Sequence, residues 1–122
     1  MRLFLDTNVV LATVVDEAER ANPATQLLDN GDHIFIISSI NIMELRAVLA
    51  KKGQLESERV ERIISDLLAD VELFMPDSGD LTDAVRLQKE TLLYPMDALI
   101  LTCANAAEAT LVTFDGEILE HD

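Results

Sequence analysis

Residues 96–115 read MDALILTCANAAEATLVTFD, and this stretch decides the fold. Apart from Asp97, its first two-thirds is apolar nearly all round, the pattern of a helix buried against a sheet. TLVTFD (110–115) then reads as a buried strand ending close to an acid. RLFLD (2–6) mirrors it at the start of the chain: a short buried strand closed by Asp6. HIFIIS (33–38) reads as another strand and VELFM (71–75) as a short one.

Helical signals fill the intervals. TNVVLATVV (7–15) is apolar enough for helix or strand, and period alone leaves both open. Asn22-Pro23, then Ala24 to Asn30 and Gly31, has the punctuation of a short capped helix. Ser39 is placed to cap a helix to about Lys52, with Ile40, Met43, Ala47 and Val48 inward, Glu44 on that same side, and Gly53 at its end. Residues 57–69 are amphipathic, with Val60, Ile63, Ile64, Leu67 and Val71 at helical spacing. Ser78 or Asp80 caps a further helix carrying Leu81, Ala84, Val85, Gln88 and Leu92, broken by Tyr94-Pro95. A short last turn runs to Asp122. Strands alternating with helices, with no repeats or Gly-rich linkers, predict a three-layer α/β/α sandwich with a central, mainly parallel sheet, as one domain over residues 1–122.

Composition narrows the class. The chain is about half apolar and contains 4 Gly and 3 Pro in 122 residues, which is a globular rather than a disordered composition. Cys103 is the one cysteine, without a disulfide partner or a zinc-type spacing, and suits a reducing, cytoplasmic setting. No secretion-signal pattern follows Met1, and the longest charge-free apolar segments fall short of the ~20 residues that span a bilayer, so no membrane association is expected. The net charge of −14, from 23 acids against 9 bases, is unusual for a protein that handles a polyanion. Two explanations stand side by side. In ~1 M salt the Debye length is about 3 Å and surface repulsion fades, so the acid surface would report a high-salt habitat; alternatively, a basic partner covers it.

The acids are not scattered at random. Asp6 and Asp115 follow the first and last strands, so both should project from the carboxyl edge of the sheet, where α/β folds place their sites. Asp97 begins the buried helix, and Glu44 sits one turn into another. Singly, each has a structural reading: Asp6, Asp97 and Asp115 as helix caps, Glu44 paired with Lys51 or Lys52 or reaching water. Together they form a self-repelling group that a divalent cation would stabilise. Oxygen ligands without His or Cys suit Mg²⁺ or Mn²⁺ rather than zinc.

LFLDTN (3–8), SSINIMELRAVL (38–49), MDALILTCA (96–104) and LVTFD (111–115) resemble, in order and spacing, the four acidic blocks of the PIN-domain nucleases. The compact length is most similar to the VapC-type toxins of toxin–antitoxin pairs. The resemblance implies a Mg²⁺- or Mn²⁺-dependent endoribonuclease acting on a tRNA, ribosomal RNA or mRNA, an antitoxin partner and a homodimer. By position it gives Asp6, Glu44, Asp97 and Asp115 as metal-binding acids, with Thr7, Asn8 and Thr113 as supporting polar groups. Thr113 lies two residues before Asp115, so strand alternation would turn both to one side. Arg46, Lys51 and Lys52 are the candidate RNA contacts, with Arg86 and Lys89 also near the site; all of them read equally as solvated helix-face charges.

Other functions fit less well. A phosphoaspartyl phosphatase would want DxD after the first strand, where the chain has Asp6-Thr7-Asn8, and a receiver domain would want paired acids there and a Lys after a late strand. A non-catalytic module of the same fold, whose acidic pocket receives a basic partner, is the alternative. A basic side chain of an antitoxin in the carboxylate cluster would displace metal, and an apolar groove near 57–69 could hold the rest of that partner or form the homodimer. His33 and His121 are isolated, Cys103, the methionines and phenylalanines read as core, and Tyr94 as a loop anchor.

Overall fold

The computed structural model describes residues 1–14 and 21–120. Among them, strands β1 (Arg2–Leu5), β2 (Ile34–Ser38), β3 (Glu72–Phe74) and β4 (Thr110–Val112) form one parallel sheet in the order β3-β2-β1-β4. The helices are α1 (Thr7–Val14), α2 (Ala21–Leu28), α3 (Ser39–Lys51), α4 (Ser57–Asp70), α5 (Ser78–Thr91), α6 (Pro95–Ala106) and α7 (Gly116–Leu119). The segment that period left open, from Thr7, is helical as α1; Val15 lies outside the described residues, as do His121 and the end of the expected last turn.

Alternation along the strands divides the core in two. Leu3, Leu5, Phe35 and Ile37 pack with Val9, Val10, Ala24, Leu45, Leu49, Val60 and Ile64 of α1 to α4 on one face. Phe4, Ile36 and Leu111 pack with Ala84, Ala98, Ile100, Leu101 and Cys103 of α5 and α6, and with Ile118 of α7, on the other. Both faces of the sheet are therefore covered, which is why its strands are continuous apolar runs. The expected α/β/α sandwich is the observed one, and its sheet is wholly parallel.

Several local expectations are corrected. Ser38, not Ser39, caps α3: its Oγ accepts the Asn41 N–H at 3.0 Å. The buried stripe of α3 is Asn41, Ile42, Leu45 and Leu49, while Met43 and Ala47 are exposed and Ile40 and Val48 only half-buried. Asp77, not Ser78 or Asp80, caps α5, and Asp80 completes a reciprocal capping box with it. Of the apolar residues that this helix carries, Ala84 is buried and Leu81, Val85 and Leu92 are exposed. The α5 helix ends on Leu92 in the left-handed region (φ 59°), ahead of Tyr94-Pro95. The α2 helix stops at Leu28, short of Asn30. Gly53 does end α3 as expected: a Cβ there would come within 2.8 Å of the Leu49 carbonyl oxygen.

Leu45 is fully enclosed in the core cluster that includes Leu3 and Leu5 of β1. Leu45→Ala is expected to lower unfolding stability by about 2–5 kcal/mol, from lost transfer energy plus the cavity. Asp77→Ala, an exposed cap, should cost only about 1 kcal/mol; urea titration of both variants checks the ranking.

Candidate active site

Strand order reverses at β1: β2 and β3 lie to one side and β4 to the other. The crevice at the carboxyl ends of β1 and β4 is thus the switch point of the sheet, the usual position of a site in an open parallel fold. Asp6 occupies it. Its backbone N–H extends the ladder to the Val112 carbonyl at 3.0 Å, and its side chain turns inward, 6% exposed.

Three donors hold this carboxylate. The Thr113 hydroxyl donates to Oδ2 at 2.7 Å, the Thr7 backbone N–H donates to Oδ1 at 2.7 Å, and the Asn41 amide reaches Oδ1 at 3.4 Å. Thr113 is itself fixed, its Oγ1 accepting the Asn8 amide at 3.3 Å and the Asp115 N–H at 3.0 Å. One hydroxyl thereby donates once and accepts twice, its full capacity. The Asn8 Oδ1 accepts the Phe114 N–H at 3.2 Å, tying the first turn of α1 to the segment after β4. Thr7 and Thr113 thus contact Asp6 directly, and Asn8 reaches it one bond removed, through Thr113. Thr113 and Asp115 are linked by a turn after β4 has ended at Val112, not by strand alternation.

Electrostatics bring two further acids to the same place. Burial is the main cause that pushes the Asp6 carboxyl above its ordinary value; the Thr113 and Thr7 hydrogen bonds pull it back, and the charges of Glu44 and Asp115 push it up again. Glu44 is half-buried, one turn beyond Asn41 on α3. Asp115 is half-buried and also receives the Ile118 N–H at 3.4 Å, so the capping role open to it from sequence is present as well.

Asp97 stands in the first turn of α6, half-buried, after Pro95. Because α6 leads into the parallel strand β4, its N-terminus lies toward the carboxyl edge of the sheet. The charges of Glu44 and Asp115 thus act on Asp6, while Asp97 is assigned to the same edge by the direction of α6. Among the described residues no three Asp, Glu, His or Cys side chains are close enough to enclose a metal by themselves. The donor chemistry nonetheless fits a hard divalent cation: a buried carboxylate, neighbouring acids and no soft ligand, for ions that keep several waters and often take only one or two carboxylates.

The candidate RNA contacts lie elsewhere. Arg46 makes an exposed two-pronged pair with Glu61 of α4, at 2.7 and 3.1 Å. Lys51 and Lys52 are at the far end of α3, about 10 Å of helix beyond Glu44 at 1.5 Å per residue. Arg86 pairs with Asp83 at 3.4 Å on α5. Cys103 is sealed in the core, where burial chiefly, and then the Asp80 charge, push its thiol up to about 11, so it is inert packing. Sequence reading missed Ser38 and Asn41; the signal available was a polar SSIN run placed between a buried strand and Glu44.

A family model for the PIN domain matches residues 3–122. The chain belongs to the PIN-domain family. No curated protein sequence matches it. Among solved structures, VapC20 from Mycobacterium tuberculosis, described as a Sarcin-Ricin loop cleaving toxin, is similar with TM-score 0.80 at 15% identity, over 98% of this chain and 94% of that one. VapBC2 from Rickettsia felis, bound to a DNA fragment from its promoter, is similar with TM-score 0.74 at 22% identity, over 99% and 92% of the two chains. VapBC-1 from nontypeable Haemophilus influenzae gives TM-score 0.74 at 19% identity, over 98% and 91%. At these identities the likeness is one of fold.

The electrostatics of this PIN domain carry a testable sign. A carboxyl whose pKa is raised by folding binds its proton more tightly in the native state, so ionising it costs stability above that pKa, and the cost disappears as pH falls toward 3.8. Asp6→Asn is therefore expected to raise the thermal midpoint of metal-free protein at pH 7, with the advantage shrinking as pH is lowered through the Asp6 pKa. Thermal unfolding of both proteins across pH checks it; an advantage that grows on acidification contradicts it.

Proposed function

We propose that this PIN domain is a cytoplasmic, Mg²⁺- or Mn²⁺-dependent endoribonuclease, the toxin of a toxin–antitoxin pair. The observation that carries the reading is the buried Asp6 carboxylate at the switch point of the sheet, pushed up by its burial and by Glu44 and Asp115. A site arranged to make a carboxylate costly is one where a divalent cation relieves the cost.

Asp6, Glu44, Asp97 and Asp115 would hold the ion. When bound, it would lower the pKa of a water and neutralise charge on a phosphodiester. The side chains supply the rest. Thr113, Thr7 and Asn41 fix the orientation of the Asp6 carboxylate. Hydrolysis joins the water oxygen to phosphorus and breaks one P–O bond; a site carboxylate accepts the water's proton, and solvent protonates the leaving oxygen. His33 stands before β2, at the opposite end of the parallel sheet from Asp6, and this reading gives the proton work to carboxylates.

The partners belong to the same proposal. An antitoxin helix fits the groove between α1, α2 and α4, about 270 Å³, whose floor includes Val10, Phe35, Ile63 and Leu67 and whose rim carries Asp29, Asp66 and Asp70. That combination calls for an amphipathic helix with basic flanks, which would also cover part of the acid surface. The exposed Leu81, Val85, Leu92 and Tyr94, on and just after α5, offer the apolar surface a second copy would cover in a homodimer. Arg46, Lys51 and Lys52 remain the candidate RNA contacts, with Arg46 reaching RNA only on leaving Glu61. Among the described residues no helix is long and apolar enough to cross a membrane.

The test is cleavage of a panel of tRNA, ribosomal RNA and single-stranded RNA with Mn²⁺, Mg²⁺ or chelator. Cleavage should require the metal, and Asp97→Asn should reduce it by more than the roughly 100-fold typical of outer-shell changes. Because protein and RNA are both polyanions, kcat/KM should rise between about 0.05 and 1 M KCl as repulsion is screened. No cleavage by folded, Mn²⁺-loaded protein would shift the reading to a binding module whose pocket receives a basic partner.

A further inference from the structure

Asn41 is a polar side chain with no exposed surface at all, 0% accessible, on the first turn of α3. Its two amide ends do different things. The Ser38 Oγ uses a lone pair to accept the Asn41 backbone N–H at 3.0 Å, which leaves its proton for the Asn41 Oδ1 at 2.7 Å. Oδ1 is thereby turned toward Ser38, and Nδ2 toward the junction of β1 and α1, where it donates to Thr7 Oγ1 at 2.9 Å and reaches Asp6 Oδ1 at 3.4 Å. The reverse orientation would set an amide oxygen against the Asp6 carboxylate, so the network selects one orientation.

The position matters because of what lies one turn further on. Glu44 is three residues along the same helix, on the side that faces Asp6. Asn41 thus links Asp6, at the end of β1, to the helix that carries Glu44. Capping α3 needs only the Ser38 Oγ and the Asn41 backbone; the amide is surplus to that task. The amide is satisfied at both ends, by Ser38 and by Thr7, and its donor end also reaches the carboxylate, so it couples the orientation of Asp6 to α3.

We propose that Asn41 is a positioning residue: through its Nδ2 it holds Asp6 and Thr7 against α3 and sets the spacing of Asp6 and Glu44 at which a divalent cation binds. The inference rests on the metal-dependent reading of the site. Ser38 acts one step behind it by fixing the direction of the amide.

The test is Mn²⁺ binding by titration calorimetry to RNA-free protein, for wild type, the near-isosteric Asn41→Leu and Ser38→Ala, with circular dichroism and thermal midpoints as folding controls. Folded Asn41→Leu is expected to bind Mn²⁺ about 10- to 100-fold more weakly, the size of effect seen when groups orienting metal ligands are removed. Ser38→Ala, which keeps the amide but frees it to turn, should weaken binding in the same direction by less. A purely structural role would lower the thermal midpoints and leave the Mn²⁺ affinity of the folded protein unchanged, and that result overturns the inference. Should Asn41→Leu fail to fold, unchanged affinity in Ser38→Ala overturns it instead. Wild-type protein that binds no Mn²⁺ refutes the metal-dependent reading itself, a separate outcome from either of these.

Discussion

The arrangement of the molecule depends on one buried carboxylate. Removing an ion from water costs several kcal/mol even after relaxation, while a hydrogen bond to a charged group returns about 1.5–3 kcal/mol. Asp6 has two short hydrogen bonds and one long one, and the balance still goes against its ionised form: burial, the largest cause, and the Glu44 and Asp115 charges together outweigh the hydrogen bonds. A core position occupied by Asn or Ser would cost less. Keeping an acid there makes sense if a cation provides the missing stabilisation.

That carboxylate also explains the polar groups around it. Thr7, Asn8, Asn41 and Thr113 come from α1, α3 and the segment after β4, yet they form one connected network around the end of β1. The network joins both sides of the switch point, so it determines how the last part of the chain docks on the first. Elsewhere the charges are cheap and weak: the Arg46–Glu61 and Arg86–Asp83 pairs are exposed, where such pairs contribute little. With a net charge of −14, long-range repulsion rather than local pairing sets the surface electrostatics, and salt or a basic partner is what relieves it.

Much of this was legible in the sequence because both sheet faces are covered. Continuous apolar runs such as LFL, IFII and TLV can only be buried parallel strands when separated by helical periods, and the acids at their ends then fall at one edge. The α3 helix shows where that logic stops. A stripe chosen for hydrophobicity places Ile40, Met43, Ala47 and Val48 inside and passes over Asn41. The structure does the opposite, because Asn41 is buried for its hydrogen bonds to Asp6 and Thr7, a long-range contact that no local pattern encodes. Likewise Leu81, Val85 and Leu92 follow a core-like spacing on α5 but remain exposed, since hydrophobicity marks a surface to be covered without saying by which chain. The four acids were recognisable as a set only from their order along the chain; Asp6 is the one whose burial the structure makes decisive.

The most direct test of the account is anomalous diffraction at the manganese edge from crystals grown with Mn²⁺. The account predicts a manganese peak within coordination distance of Asp6, between the ends of β1 and β4, with Glu44, Asp97 or Asp115 completing the ligand set directly or through water. Manganese bound only elsewhere on the acidic surface, with the Asp6 carboxylate still enclosed by Thr113, Thr7 and Asn41 alone, would contradict it.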